Sequence, residues 1–183
     1  MEMPNGPGLS PAAATWPVRP PGRRPRHAPA DEPVIVGAHG GAGVTTLAGL
    51  LRPAWDMGVV RRPGPGHASL PLTGRPVLLV TRNTVTAAGR AVIASRLLAE
   101  HGAPVAVLVV IGDGLPEPAE ARYRFRVLSG RMGAVVRMPF VPAFRIAADP
   151  LSVDLPRRAR SALAEIRALA HQTVPNPASA TRP

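Results

Sequence analysis

The chain has 183 residues, 45% of them hydrophobic and only 3% aromatic, with a formal net charge of +11 and no cysteine. That is apolar material for one domain plus tails, with a core of Val, Leu, Ile and Ala. It excludes disulfides and thiolate-held metals, and the five scattered histidines lack the spacing of a zinc site.

The longest apolar run, Ala103 to Ile111, falls short of the ~20 residues that a membrane span needs. No span is expected. The first residues carry no apolar leader region, so the expected location is the cytoplasm. The positive charge favours an anionic partner surface. All 22 basic residues are arginine, in a chain rich in Ala and Pro. Part of that charge therefore reflects composition and not function.

Residues 1–33 read as a disordered tail. Nine prolines and very few β-branched residues cannot bury enough apolar area to offset the entropy of ordering. Within the tail, the run from Arg19 to Arg26 can adopt polyproline II and touch an acidic partner. An inert, solvated tail is the simpler reading.

Val34–Gly37 is a short apolar strand of the kind buried on both faces. His39-Gly40-Gly41-Ala42-Gly43 follows, and then Val44, Thr45, Thr46 and a helical pattern of Leu47, Leu50 and Leu51. Strand, glycine loop and helix start form the layout of a phosphate-binding loop. A glycine-rich β–α turn that binds nothing is the alternative. Pro53 ends the helix, and Arg52 to Pro76 reads mostly as loop, with Trp55 and Met57 plugging the core edge.

Pro76–Thr81 is the next strand. Asn83 or Thr84 caps a helix whose buried stripe is Ala87, Ala91, Ala94 and Leu98, and Gly102 stops it. Val105–Ile111 is a strand followed by Gly112-Asp113-Gly114. A helix from about Pro118 to Ser129 carries Arg122, Arg124 and Arg126, and Arg131 follows it. Ala134–Met138 is a strand, with the loop Pro139-Phe140-Val141-Pro142 after it. The last helix starts near Asp154–Pro156 with the stripe Ala159, Leu163, Ile166 and Ala170. The domain is thus expected over residues 34–171, with a C-terminal tail at 172–183.

Strands alternating with helices predict an α/β three-layer sandwich with a mostly parallel sheet of about four or five strands. Ligands in such folds sit at the carboxyl ends of the strands. Those ends are His39–Gly43, Arg82–Thr84, Gly112–Gly114 and Pro139–Pro142. Arg122, Arg124, Arg126 and Arg131 are the candidates for nucleic acid. They spread over more than one helical face, which suits non-specific contact with phosphates.

His39-Gly40-Gly41-Ala42-Gly43-Val44-Thr45-Thr46 resembles K-G-G-x-G-K-T-T, the deviant Walker A motif of ParA/MinD-type (SIMIBI) P-loop ATPases, at six of eight positions. Both departures fall on lysines, at His39 and Val44. Segment order is also similar over residues 34–170. Gly74 to Asn83 is similar to the family strand "A-D-x-v-l-l-V-t-x-p", and Arg137 to Ala148 to the segment near the base pocket.

The resemblance implies a P-loop NTPase-like fold with ATP or ADP and Mg²⁺ as cofactors. It also implies phosphate contacts from residues 39–46 and a base pocket near Gly112, Asp113, Pro139 and Phe140. The missing lysines, and the lack of an acidic Walker B strand between Arg52 and Pro76, argue against hydrolysis. Asp56 and Asp113 are possible substitutes for the carboxylate, though turn or capping roles suit both. His39 as a neutral donor to phosphate stands against an ordinary loop histidine.

The expected function is a non-hydrolysing regulatory or adaptor module near DNA-partition, plasmid-transfer or secretion machinery. An unidentified protein, non-specific DNA or a second copy of the chain are its candidate partners. One alternative is a working hydrolase using Thr45, backbone amides and an arginine. Another is a DNA-binding adaptor without nucleotide. A Rossmann-like dinucleotide binder is disfavoured, because the third glycine of its fingerprint is missing.

Overall fold

The computed structural model describes residues 32–61 and 74–172. The expectations for residues 1–31 and 173–183 lie outside it. Strands β1 (Val34–Gly37), β2 (Trp55–Val59), β3 (Val77–Arg82), β4 (Val105–Ile111) and β5 (Ala134–Met138) form one sheet in the order β2-β1-β3-β4-β5. Every pairing is parallel. Helices α1 (Val44–Leu50), α2 (Val85–Glu100), α3 (Ala119–Ser129) and α4 (Arg157–Gln172) cover it.

The three layers follow from the order of the strands. The chain leaves β1 towards β2, then returns past β1 to β3 and moves outward through β4 and β5. Right-handed crossovers in opposite directions put the connecting helices on opposite faces. Val44, Leu47 and Ala48 of α1 pack with Ala159, Leu163 and Ile166 of α4 on one face. Ala88, Ala91 and Leu98 of α2 pack with Ala121 and Phe125 of α3 on the other.

The central strands are buried except for Arg82 and Ile111 at the ends of β3 and β4, as their continuous apolar runs require. All four expected stripe residues of α2, and all four of α4, are buried. Thr84 caps α2: its hydroxyl accepts from the Ala87 amide at 3.2 Å. Gly102 follows α2 with φ +68°. Among the described residues, no helix is long and apolar enough to cross a membrane.

One expectation is corrected. The stretch after Pro53 is not mostly loop, because it contains β2. Trp55, Met57 and Val59 are half-buried while Asp56 and Gly58 are exposed. This is the alternation of an edge strand covered on one face only. Gly and Asp are depleted in strands, so the run lacks the usual signature. Residues 62–73 lie outside the described residues.

Three points of the chain meet at this edge. Trp55 Nε1 donates to the Glu32 carboxylate at 2.5 Å. Arg75 forms an ion pair with the same carboxylate at 3.7 Å and lies over the Trp55 ring, 4.6 Å from its centre. Pro33 is buried, and its carbonyl accepts from the Trp55 amide, so the packed domain takes in residues 32 and 33.

Candidate functional site

A parallel sheet collects the loops after its strands along one edge. In this sheet the strand order reverses between β1 and β3, and open α/β sheets bind ligands beyond the carboxyl ends at such a point. The glycine loop 38–43 stands there. Gly37, the end of β1, is level with Val80, whereas β3 runs on to Arg82. Arg82 therefore projects past the end of β1, and its Nε donates to the Gly41 carbonyl at 3.2 Å. Arg82, Ile111 and Met138 are level across β3, β4 and β5.

The loop backbone needs its glycines at two points. Gly41 has φ +75° and Gly43 φ +102°, conformations that side-chain-bearing residues avoid. Ala42 and Val44 are buried, and the side chain of Val44 turns into the core beside Gly37. Position 44, which the resemblance aligns with a lysine, is thus a packing position. Thr45 is exposed and Thr46 half-buried. The first helical bond of α1 runs from Leu47 N–H to the Gly43 carbonyl. The amides of Val44, Thr45 and Thr46 precede it and have no acceptor within the helix.

His39 bonds its own loop. Nδ1 lies 2.8 Å from the Gly40 carbonyl, so Nδ1 must carry the hydrogen that is donated. In the neutral ring Nε2 is then an acceptor. It is enclosed, with no hydrogen-bond partner among the described residues. A neutral His39 has no second N–H to offer a phosphate.

Asp113 closes a turn. Its carboxylate accepts from the Leu115 amide at 3.0 Å. That bond, helped by the Asn83 side chain and the charge of Arg82, holds the carboxyl below its ordinary value of 3.8; burial opposes the shift. Asn83 is buried and donates Nδ2 to the Leu115 carbonyl at 3.2 Å, while Oδ1 is enclosed without a partner. Asp56 is level with Ile35, short of the carboxyl edge, and accepts from the Gly58 amide. Asp113 acts as a turn residue, for which a short acceptor side chain is suited, whereas Asp56 stands on the exposed face of β2 and bonds the backbone of its own strand.

A cavity of about 210 Å³ opens beside the loop. Gly43, Thr46, Leu47 and Leu50 line it from α1 and its approach, and Arg82, Ile111 and Gly112 from the strand ends. Met138, Pro139, Phe140, Val141, Phe144 and Arg145 close it. Five sequence candidates therefore come together: Gly43, Thr46, Gly112, Pro139 and Phe140. His39, Gly40, Gly41, Ala42, Val44, Thr45 and Asp113 do not line the cavity.

Phe144 belongs to no recognisable motif in the sequence. It arrives on the short 3₁₀ turn Pro142–Arg145. A usable signal was present: two of only three phenylalanines in the chain stand four residues apart, next to an arginine.

The charged groups of the cavity are both cations. Arg145 lies over the Phe140 ring at 4.9 Å. Among the described residues, neither Arg82 nor Arg145 forms an ion pair. Among the described residues, no carboxylate lines the cavity. Mg²⁺ takes oxygen ligands, usually including one or two carboxylates. The donor set therefore does not fit the Mg²⁺ implied by the family resemblance.

The candidate nucleic-acid arginines are not brought together as one free patch. Arg122 lies 3.6 Å from Glu117, and Arg124 pairs with Glu120 at 2.5 Å while donating to the Val85 carbonyl. Glu117 also receives two bonds from Arg137. Arg126 and Arg131 are exposed, the second in the turn after α3. On α4, Arg157 and Arg158 are exposed in the first turn. Cations there oppose the helix dipole.

The chain matches no protein-family model, no curated protein and no solved structure.

Proposed function

We propose that the chain is a degenerate, lysine-free P-loop module of the ParA/MinD type that holds a nucleotide-like ligand without hydrolysing it. Its role is that of a cytoplasmic regulatory or adaptor component. The setting, bacterial DNA-partition, plasmid-transfer or secretion machinery, comes from the resemblance of the loop alone.

One observation carries this reading. The glycine loop keeps its position at the carboxyl edge of a parallel sheet beside a cavity, while Val44, at the lysine position, is buried in the core. A P-loop lysine neutralises charge on the β- and γ-phosphates, and a Walker B carboxylate holds the metal. The cavity has neither. Binding and hydrolysis are therefore separated in this chain.

The test is steady-state phosphate release from ATP and GTP beside a thermal-shift series with the mono-, di- and triphosphates of adenosine and guanosine. Expected is a ligand-dependent rise in melting temperature with phosphate release at background. Turnover near the ~10 s⁻¹ typical of enzymes would overturn the non-hydrolysing reading. No shift with any nucleotide would overturn the binding reading.

A further inference from the structure

We propose that the cavity is a metal-independent site for a nucleoside monophosphate, with Arg82 and Arg145 gripping the phosphate and the phenylalanine-lined wall receiving the base. The inference rests on the reading of this site as a nucleotide-binding module. It departs from the triphosphate–Mg²⁺ ligand that the loop resemblance implies.

Size limits the ligand first. At about 210 Å³ the cavity lies below the ~300–1,000 Å³ of drug-sized sites. Its small volume favours a single ring system with one anionic group over a dinucleotide.

Charge limits it next. Two guanidiniums face the cavity, with no carboxylate among its lining residues. A phosphate monoester carries about −1.5 to −2 charges at neutral pH, which balances two arginines without a cation. A triphosphate carries more charge than two arginines neutralise and calls for a metal that the donor set does not fit.

The arginines are also suitably held. The bond from Arg82 Nε to the Gly41 carbonyl holds the guanidinium at the loop, beside the cavity that Arg82 lines. Arg145 lies over the Phe140 ring, a cation–π contact that restrains its guanidinium. Planar guanidiniums with several donors suit two-point contact with phosphate oxygens.

Aromatic placement points to a ring. The chain is poor in aromatic residues, yet Phe140 and Phe144 both line this one cavity. Arg145 covers Phe140, so Phe144 with Leu47 and Leu50 forms the apolar wall against which a base can stack. Stacking on aromatic side chains tolerates every base, so the site selects the phosphate more strictly than the base.

Isothermal titration of the full chain tests the proposal, using AMP, GMP, adenosine, inorganic phosphate and ATP, each with excess Mg²⁺ and with EDTA. AMP is expected to bind equally well in both buffers and at least tenfold more tightly than adenosine or phosphate. Arg145→Gln and Arg82→Gln should each weaken AMP binding on the order of tenfold or more. Arg145 is exposed and, among the described residues, outside any ion pair, so its variant keeps the test open even if Arg82→Gln disturbs the loop.

Unchanged AMP affinity in Arg145→Gln and in folded Arg82→Gln would overturn the proposal. So would binding of ATP with Mg²⁺ in the absence of AMP binding, which would leave the nucleotide-module reading standing. Failure of every nucleotide to bind would remove both.

Discussion

Cγ2 of Val44 occupies the space in which Gly37 would carry a side chain: a Cβ built on Gly37 would stand 2.8 Å from it. The end of β1 and the start of α1 are thus fitted to each other. Gly37→Ala should lower stability by roughly 1–3 kcal/mol through overpacking. Val44→Ala makes room, so the double variant should cost less than the sum of the two single changes. Urea midpoints of the four proteins in the cycle measure this coupling. Additivity within about 0.5 kcal/mol would show that the two residues do not press on each other.

Restoring the lysine should not restore an ATPase. In Val44→Lys the long stem starts from a core position, and its charge lies at the positive end of α1. We expect a stability loss of roughly 1–3 kcal/mol, or several degrees in melting temperature, with phosphate release still at background. A variant that hydrolyses ATP above background would mean that this side chain can swing out over the loop.

Asp113 gives a pH dependence of defined sign. Its folded carboxyl is held below 3.8, chiefly by the Leu115 amide. A lowered folded value means that the charged form is favoured on folding. That contribution is complete above the unfolded value and is lost as pH falls through the folded one. The stability difference between the natural chain and Asp113→Asn should therefore be constant from neutral pH down to near 3.8 and shrink below it. A difference that grows on acidification would contradict the turn geometry.

Contact with nucleic acid should follow the unpaired arginines. Arg122 and Arg124 sit beside Glu117 and Glu120, whereas Arg157 and Arg158 are exposed with no carboxylate partner among the described residues. Any binding to a random duplex should survive Arg122→Gln/Arg124→Gln and weaken in Arg157→Gln/Arg158→Gln. The salt slope should fall by about one for each phosphate that the variant no longer neutralises. Fluorescence anisotropy across a salt series reads this directly. The reverse order of effects would return the surface to α3.

The elements that could be read from the sequence are those whose burial repeats. Ala87, Ala91, Ala94 and Leu98 keep helical spacing, and β3 and β4 are continuous apolar runs. Strand β2 escaped because its outward positions are Asp56 and Gly58, which say turn, while its inward ones are only half-covered. The glycine loop was legible because its glycines serve backbone conformations.

The cavity was not legible as a whole. Arg82 reaches it because β3 outruns β1, and Phe144 because of a 3₁₀ turn. Both depend on register and chain direction, which no local pattern encodes. His39 and Asp113 look like site residues in sequence. In the fold each bonds backbone close by, as short-range polar side chains commonly do.

The meeting of Glu32, Trp55 and Arg75 has an engineering consequence. One carboxylate joins the start of the packed domain, the edge strand and the approach to β3, so the chain on either side of residues 62–73 is fastened at both ends independently of the span between. A span whose anchors hold each other tolerates being cut or lengthened, because closing a longer loop adds only about 0.6 kcal/mol per doubling. This is the natural point to graft a reporter or to divide the protein into two fragments that find each other again. Glu32→Gln would weaken this join, while the pairing of β1 with β3 and the shared core continue to hold the two parts together.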